Sequence, residues 1–307
     1  MKLAPFDFEK DVRDFVLSKL PCEHEYLNEL EAEETDQLLI TYANWSERIV
    51  SKTPRIAVES QSLKTNPLRS PANFGSVVDG IIRKIQEGDD IVPHLSKAIT
   101  KGYRPNQPSP KNLGARPDLD LLLSDWGVHH LHLSLNVEPD GFVSRTGPLL
   151  LVAFKSATAF LIDIIEHGQW TKRSVMETVV YEWPDEGIIY ELNGALGLAE
   201  SYNENEHAQL RKAGVNTALE IDGKVWMTGG GIATAGNSVA SVLQANRLWN
   251  GIDQFCRKIS DEPDWLRSAI ASHDLPVPTT ATLKFVFVED GYGVIEETSK
   301  LFIRLSS

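Results

Sequence analysis

The stretch Trp126–Asn136, WGVHHLHLSLN, decides the reading of the fold, because its hydrophobicity repeats every second residue rather than every third or fourth. Counting on from His129, the odd positions are His129, Leu131, Leu133, Leu135 and Val137, and the even ones are His130, His132, Ser134 and Asn136. Successive side chains of a strand leave opposite faces, so residues 129–137 are expected to form a strand with one apolar and one polar face. His129 falls with the leucines and reads as a packed structural imidazole. His130 and His132 project together from the polar face.

Two further strand candidates follow, PLLLVAFKS (148–156) and TAFLIDIIEH (158–167), with turn signals EPDG and KSAT between the runs. Connections this short favour an antiparallel meander. Upstream, apolar residues recur at three and four, as in Phe8, Val12, Phe15 and Val16, so the first hundred residues read as helices. A proline- and glycine-rich segment, Gly102–Pro117, reads as a linker. Downstream, SVMETVVYEW (174–183) predicts a helix ending before Pro184, and Asp222-Gly223 predicts a hairpin turn. A long helix then spans 237–259, before a strand pair within 282–305. The expected class is α+β: a helical N-terminal region (1–100), a central antiparallel sheet bearing the candidate site (118–185) and a C-terminal α+β region (186–307).

Charge and composition narrow the function classes. The chain has 307 residues, is 42% hydrophobic and carries a formal net charge of −13, which argues against nucleic-acid binding over the whole surface. The acids are clustered: Glu23–Asp36 holds seven and Glu177–Glu206 eight, with no Lys or Arg in either. Between them lies a basic strip, Lys101, Arg104, Lys111 and Arg116, which reads equally as a solvated loop. No apolar run approaches the roughly 18 to 20 residues of a membrane span, and MKLAPFDFEKDVRDF has no signal-peptide core. Cys22 and Cys256 suggest no disulfide framework, so a cytoplasmic location without membrane association is expected.

The even-numbered histidines admit two chemistries. At i and i+2 on a strand they stand about 7 Å apart, a workable spacing for two ligands of one metal. Asp163 or His167, on one face by parity, would be the third ligand; no HExxH supports this reading. The other chemistry needs neither metal nor cofactor. RNA is cleaved when its 2′-hydroxyl attacks the adjacent phosphate, which requires a base, an acid and a cation. Histidine suits both proton roles and arginine the third. His130 or His132, Arg145 and His167 supply those types on consecutive strand candidates. A third class, a non-catalytic binding or assembly protein, would use the same residues as structural hydrogen-bonding groups. Trp126, Trp170 and Trp226 read as core anchors rather than base-stacking platforms. The Gly229–Gly236 turn runs into Asn237, where a phosphate loop needs lysine, so it reads as a glycine turn with Asn237 or Ser238 capping the next helix.

The run HHLHLSLNVEPDGFVSRTGPLLLVAFKSATAFLIDIIEH resembles the strand core of RelE/HigB-type toxin ribonucleases, over about forty residues. In that family a strand and a turn lead to an arginine, and a short hairpin ends in an aspartate and a histidine. The resemblance implies Arg145 as the phosphate-binding arginine and His167 as the terminal histidine, with Asp163 nearby. It implies a metal-independent endoribonuclease of toxin or phage-defence type acting on RNA. Members of that family are small and basic, whereas this chain is larger and acidic. The charge distribution adds one expectation: acidic flanks shield the site until an inhibitory or activating protein partner moves them, so that removing residues 1–96 would change nuclease activity.

Overall fold

In the computed structural model, which describes residues 1–105, 119–288 and 291–305, four strands form the central sheet. These are β1 (Ile56–Glu59), β2 (His129–His132), β3 (Pro148–Phe154) and β4 (Thr158–Glu166), in the order β1-β4-β3-β2. The three expected strands do form an antiparallel meander. The expected strand over 129–137 is shorter, because after His132 the chain leaves the ladder, and only Val137 and Val143 bridge again before β3. The glutamate turn forms as read, with Gly141 N–H donating to the Glu138 carbonyl at 2.9 Å and Gly141 at φ +85°.

β1 corrects the reading of residues 1–100 as wholly helical. It pairs parallel with β4, Ile56 opposite Thr158 and Glu59 opposite Leu161. Four residues are too few to reveal a period, and a parallel partner a hundred residues away leaves no local turn signal. The sheet is therefore mixed at one edge.

Both faces of the sheet are covered, so β3 reads as an unbroken apolar run. One face packs Leu131, Leu133, Leu150, Val152 and Leu161 against the buried side of α2 (Gly75–Glu87), which follows the short α1 (Gln61–Thr65). The other face packs Leu151, Ala153, Phe160 and Ile162 against α3 (Leu121–Trp126) and α4 (Arg173–Glu182), through Trp126, Val175, Met176 and Val179. The β-ladder slips between Leu151 and Val152: Leu151 faces Asp163 but Val152 faces Leu161, so Ile162 is an extra residue in β4. Period-two counting does not carry through it.

The sheet belongs to a compact unit of residues 44–240. That unit also contains β5 (Ile189–Glu191), α5 (Glu204–Lys212), β6 (Leu219–Ile221) and β7 (Lys224–Thr228). Asp222 (φ 51°) and Gly223 (φ 73°) make the expected turn between β6 and β7. Residues 1–43 and 241–307 form a second unit, where strand Lys2–Leu3 pairs parallel with Thr280–Ala281 and helix Phe8–Lys19 packs on strand Leu283–Val288. The expected division into 1–100, 118–185 and 186–307 is thereby replaced, because the two chain ends pair with each other. It follows that removing residues 1–96 would delete β1, Leu63, Val78 and Ile81 from the core of the first unit, so that truncation cannot isolate shielding.

The glycine turn is fixed by backbone contacts rather than by a cap. Gly231 N–H donates to the Ser124 carbonyl at 2.6 Å, and Gly236 N–H to the Ala233 carbonyl at 2.7 Å. Asn237 Oδ1 and Ser238 Oγ are buried without hydrogen-bond partners, so neither is the expected cap. The linker expected over Gly102–Pro117 lies, from 106 onward, outside the described residues, as do Lys111 and Arg116 of the basic strip.

Candidate active site

The meander dictates which end of the sheet carries chemistry. His132 pairs with Leu149, and Leu149 with Ile165, so the end of β2, the entry to β3 and the exit of β4 lie in one row about 10 Å wide. Arg145 stands in the return segment just before β3, and His167 follows β4 directly. His167 N–H donates to the Gly147 carbonyl at 2.9 Å, which ties the two segments together. Thr146 fastens the return segment to the strands: its hydroxyl accepts from Leu133 N–H at 3.0 Å and donates to the Pro148 carbonyl at 2.7 Å.

All four sequence-derived candidates meet here. The rings of His130 and His132 lie 6.4 Å apart, and Trp170 contacts His130 at 5.1 Å and His167 at 5.0 Å. Arg145 and His167 both lie close enough to act electrostatically on His132. Arg145 is exposed and makes no hydrogen bond or ion pair with other described residues, and His167 is exposed too.

The parity of His130 and His132 is as read, but their face is not a solvated one. His132 is only 2% exposed. Burial, reinforced by the positive charges of Arg145, His130, His167 and His94, lowers its pKa to about 4. His132 is therefore neutral near pH 7. Thr146 N–H donates to its Nδ1 at 3.3 Å, which puts the ring proton on Nε2, a buried atom with no partner in the protein. His132 thus presents a fixed, uncharged N–H donor, whereas the pattern alone left it open as an acid or base.

His130 has the opposite surroundings. Asp120 caps α3 by accepting at Oδ1 from Leu122 and Leu123 N–H, both at 3.1 Å. Its other oxygen, Oδ2, stands 3.5 Å from His130 Nδ1. A carboxylate facing Nδ1 favours the proton there and leaves Nε2 as the basic nitrogen. Asp120 is the site residue that the sequence pattern does not single out, while Trp170, expected as a core anchor, is only half-buried and borders both His130 and His167. Asp120 is legible only as a helix cap.

His129 behaves as the packed imidazole expected. Its Nε2–H donates to the Glu47 carbonyl at 3.1 Å, its ring meets Phe154 edge-on at 5.3 Å, and burial lowers its pKa to about 4. Asp163 does not join the histidines. It is buried, and its carboxylate accepts from Ser62 Oγ at 3.1 Å, Asn66 Nδ2 at 2.7 Å and Ile164 N–H at 2.8 Å. The extra residue at Ile162 precedes both, so the parity of Asp163 and His167 stands, and it is the hydrogen bonds to Ser62 and Asn66 that hold Asp163 away from the histidines. Among the described residues no three His, Cys, Asp or Glu side chains are grouped as a metal site requires. Trp126 and Trp226 are core residues, as read. Comparison with protein-family models, curated proteins and solved structures gives no match.

Proposed function

We propose that this chain is a metal-independent endoribonuclease whose site is His130, His132, Arg145 and His167. One observation carries the reading: an Asp-paired histidine, a neutral buried histidine, an exposed arginine without a partner among the described residues and an exposed histidine lie at one end of the sheet. His130 Nε2 takes the proton of the ribose 2′-hydroxyl as the 2′-oxygen attacks phosphorus. The P–O5′ bond breaks, and the departing 5′-oxygen takes a proton from His167, leaving a 2′,3′-cyclic phosphate and a 5′-hydroxyl. Arg145 binds the non-bridging oxygens, where charge accumulates in the transition state, and the buried neutral His132 supports the return segment that carries Arg145 through the hydrogen bond it accepts from Thr146 N–H.

The sequence resemblance to toxin ribonucleases implies Arg145 as the phosphate arginine and His167 as the terminal histidine, and from that resemblance we extend the proposal to a toxin or phage-defence role with a protein partner governing access. The test is incubation of the purified chain with total RNA, with and without EDTA. Cleavage that persists in EDTA, ends in 2′,3′-cyclic phosphate and vanishes in His130→Ala is expected. Intact RNA under every condition refutes the reading, and cleavage abolished by EDTA replaces it with a metal-dependent hydrolase.

A further inference from the structure

Beside His130 and Trp170 lies a cavity of about 480 Å³, bounded by α3, α5 and the segment 95–104. It is within the range of small-molecule sites, roughly 300 to 1,000 Å³. Leu95, Ile99, Leu121, Leu122, Leu123 and Trp170 make its wall largely hydrocarbon. Three consecutive leucines on α3 cannot all turn inward. Leu122 packs into the core with Trp126, while Leu121 and Leu123 stay half-buried and front the cavity.

The charged groups around this wall are already committed. Arg211 Nε donates to Asp125 Oδ2 and Nη1 to the Trp170 carbonyl, both at 2.6 Å, while its guanidinium stacks on Trp126 at 4.3 Å. Arg48 donates to the Asn44 and Ala98 carbonyls at 3.3 and 3.4 Å, and Lys101 and Arg104 have partners of their own. Asp120 caps α3 and faces His130, and Thr171 Oγ1 donates to the Glu204 carbonyl at 2.8 Å. An ionic ligand would gain a strong partner here only by displacing an existing one. Lys212 is exposed to water, where a charge pair changes affinity by less than about fivefold. A polyol would bury its hydroxyls against leucines. Apolar surface is what remains for a ligand. A cavity of about 150 Å³ with such a lining holds one benzene, so this one has room for about two to three rings or an alkyl chain of similar bulk.

We infer that this cavity binds a neutral, mainly hydrocarbon small molecule, held by Leu121 and Leu123 of α3, Ala208 of α5 and Trp170. Trp170 also contacts His130 at 5.1 Å and His167 at 5.0 Å, so the occupant lies one ring away from the candidate histidines. The cavity is thus a place where an apolar ligand is sensed beside them. Binding of that ligand does not rest on the ribonuclease reading.

Calorimetric titration of the full chain with butanol, hexanol, octanol, octanoate and glucose tests it. One equivalent of octanol is expected to bind, and affinity should rise about three- to fourfold per added CH₂, as burial of methylenes requires. Octanoate should bind within about fivefold of octanol, and glucose should not bind. Ala208→Trp, which fills the cavity from α5, should weaken octanol binding at least about tenfold. Leu121→Asp charges the wall at the first position of α3, where an acid suits the helix, and should weaken it by about three- to tenfold. Circular dichroism checks the fold of both variants. Octanol should also change the tryptophan fluorescence, and Trp170→Phe should remove that change while calorimetric binding persists. No binding of any alcohol, no dependence on chain length, a preference for octanoate or glucose above about tenfold, or indifference to both wall variants overturns the site. A fluorescence change that survives Trp170→Phe overturns the contact with Trp170. None of these measurements involves RNA, so the site and the ribonuclease stand or fall separately.

Discussion

His132 should make the protein sensitive to mild acid in a way that a single substitution removes. In the unfolded chain its pKa is the ordinary 6.5, whereas the folded pKa is about 4. A depressed folded value means that only the unfolded state gains a proton as pH falls below 6.5, so stability is lost from there down to about pH 4 and is flat beyond. Integrating between those two values, His132 costs about 1 kcal/mol at pH 5.5 and about 2 to 3 kcal/mol at pH 4.5 relative to neutral pH. The side chain is nearly sealed from solvent, so no allowance for screening applies. His132→Gln keeps an acceptor-and-donor side chain but cannot titrate. Urea unfolding of the parent and variant at pH 7.5, 5.5 and 4.5 reads the difference directly. The parent should lose more stability than the variant by those amounts, and the variant should retain a residual slope from His129, which also titrates at about 4. Parallel stability profiles for the two proteins would refute the assignment of His132 as a neutral buried donor.

Other substitutions separate chemistry from structure. Arg145→Ala should lower RNA cleavage about 10²- to 10³-fold with an unchanged urea midpoint, because the side chain is exposed and makes no hydrogen bond or ion pair with other described residues; a drop in midpoint with rates preserved would make it structural. Asp163→Ala should do the reverse, costing about 1 to 3 kcal/mol by stranding the donors of Ser62, Asn66 and Ile164 while the folded fraction cleaves normally. Gly230→Ala should destabilise by about 1 to 3 kcal/mol or prevent folding, since an added Cβ would sit 2.2 Å from the Ser124 carbonyl oxygen and 2.5 Å from that of Asp125; wild-type stability would mean that the turn is looser than its backbone contacts indicate.

The meander and its histidine parity were legible because they depend on near neighbours: short turns set the pairing of β2, β3 and β4, and pairing sets the faces. From that alone Arg145, just before β3, and His167, just after β4, must stand at the same end of the sheet. The character of the second face was not legible. His132, Ser134 and Asn136 resemble a solvated stripe, yet His132 is buried, and the sheet face of Leu151 and Ile165, to which its register assigns it, packs against Trp126 and Met176 from helices on either side of the meander in sequence. Burial by remote segments leaves no mark on a period-two pattern. The slip at Ile162 was hidden for a related reason, since an extra residue in a strand is defined only against its partner. Asp120 was readable as the cap of α3, but its second oxygen meets His130 only once β2 folds back beneath that helix.

The same separation of near from far bears on how an acidic chain would hold the RNA proposed as its substrate. A net charge of −13 is felt beyond a Debye length, about 8 Å at physiological ionic strength, only as a screened background. Within that distance the local inventory decides, and among the described residues beside the histidines Arg145 stands exposed, Arg211 and Asp125 offset each other as an ion pair, and Asp120 faces His130. On the ribonuclease reading, the acidic surface would act on encounter rather than on grip, slowing the approach of RNA without weakening contacts to a strand already seated. An acidic chain with one exposed arginine beside its histidines would, on the proposed reading, engage a phosphate at one place instead of sliding along a backbone.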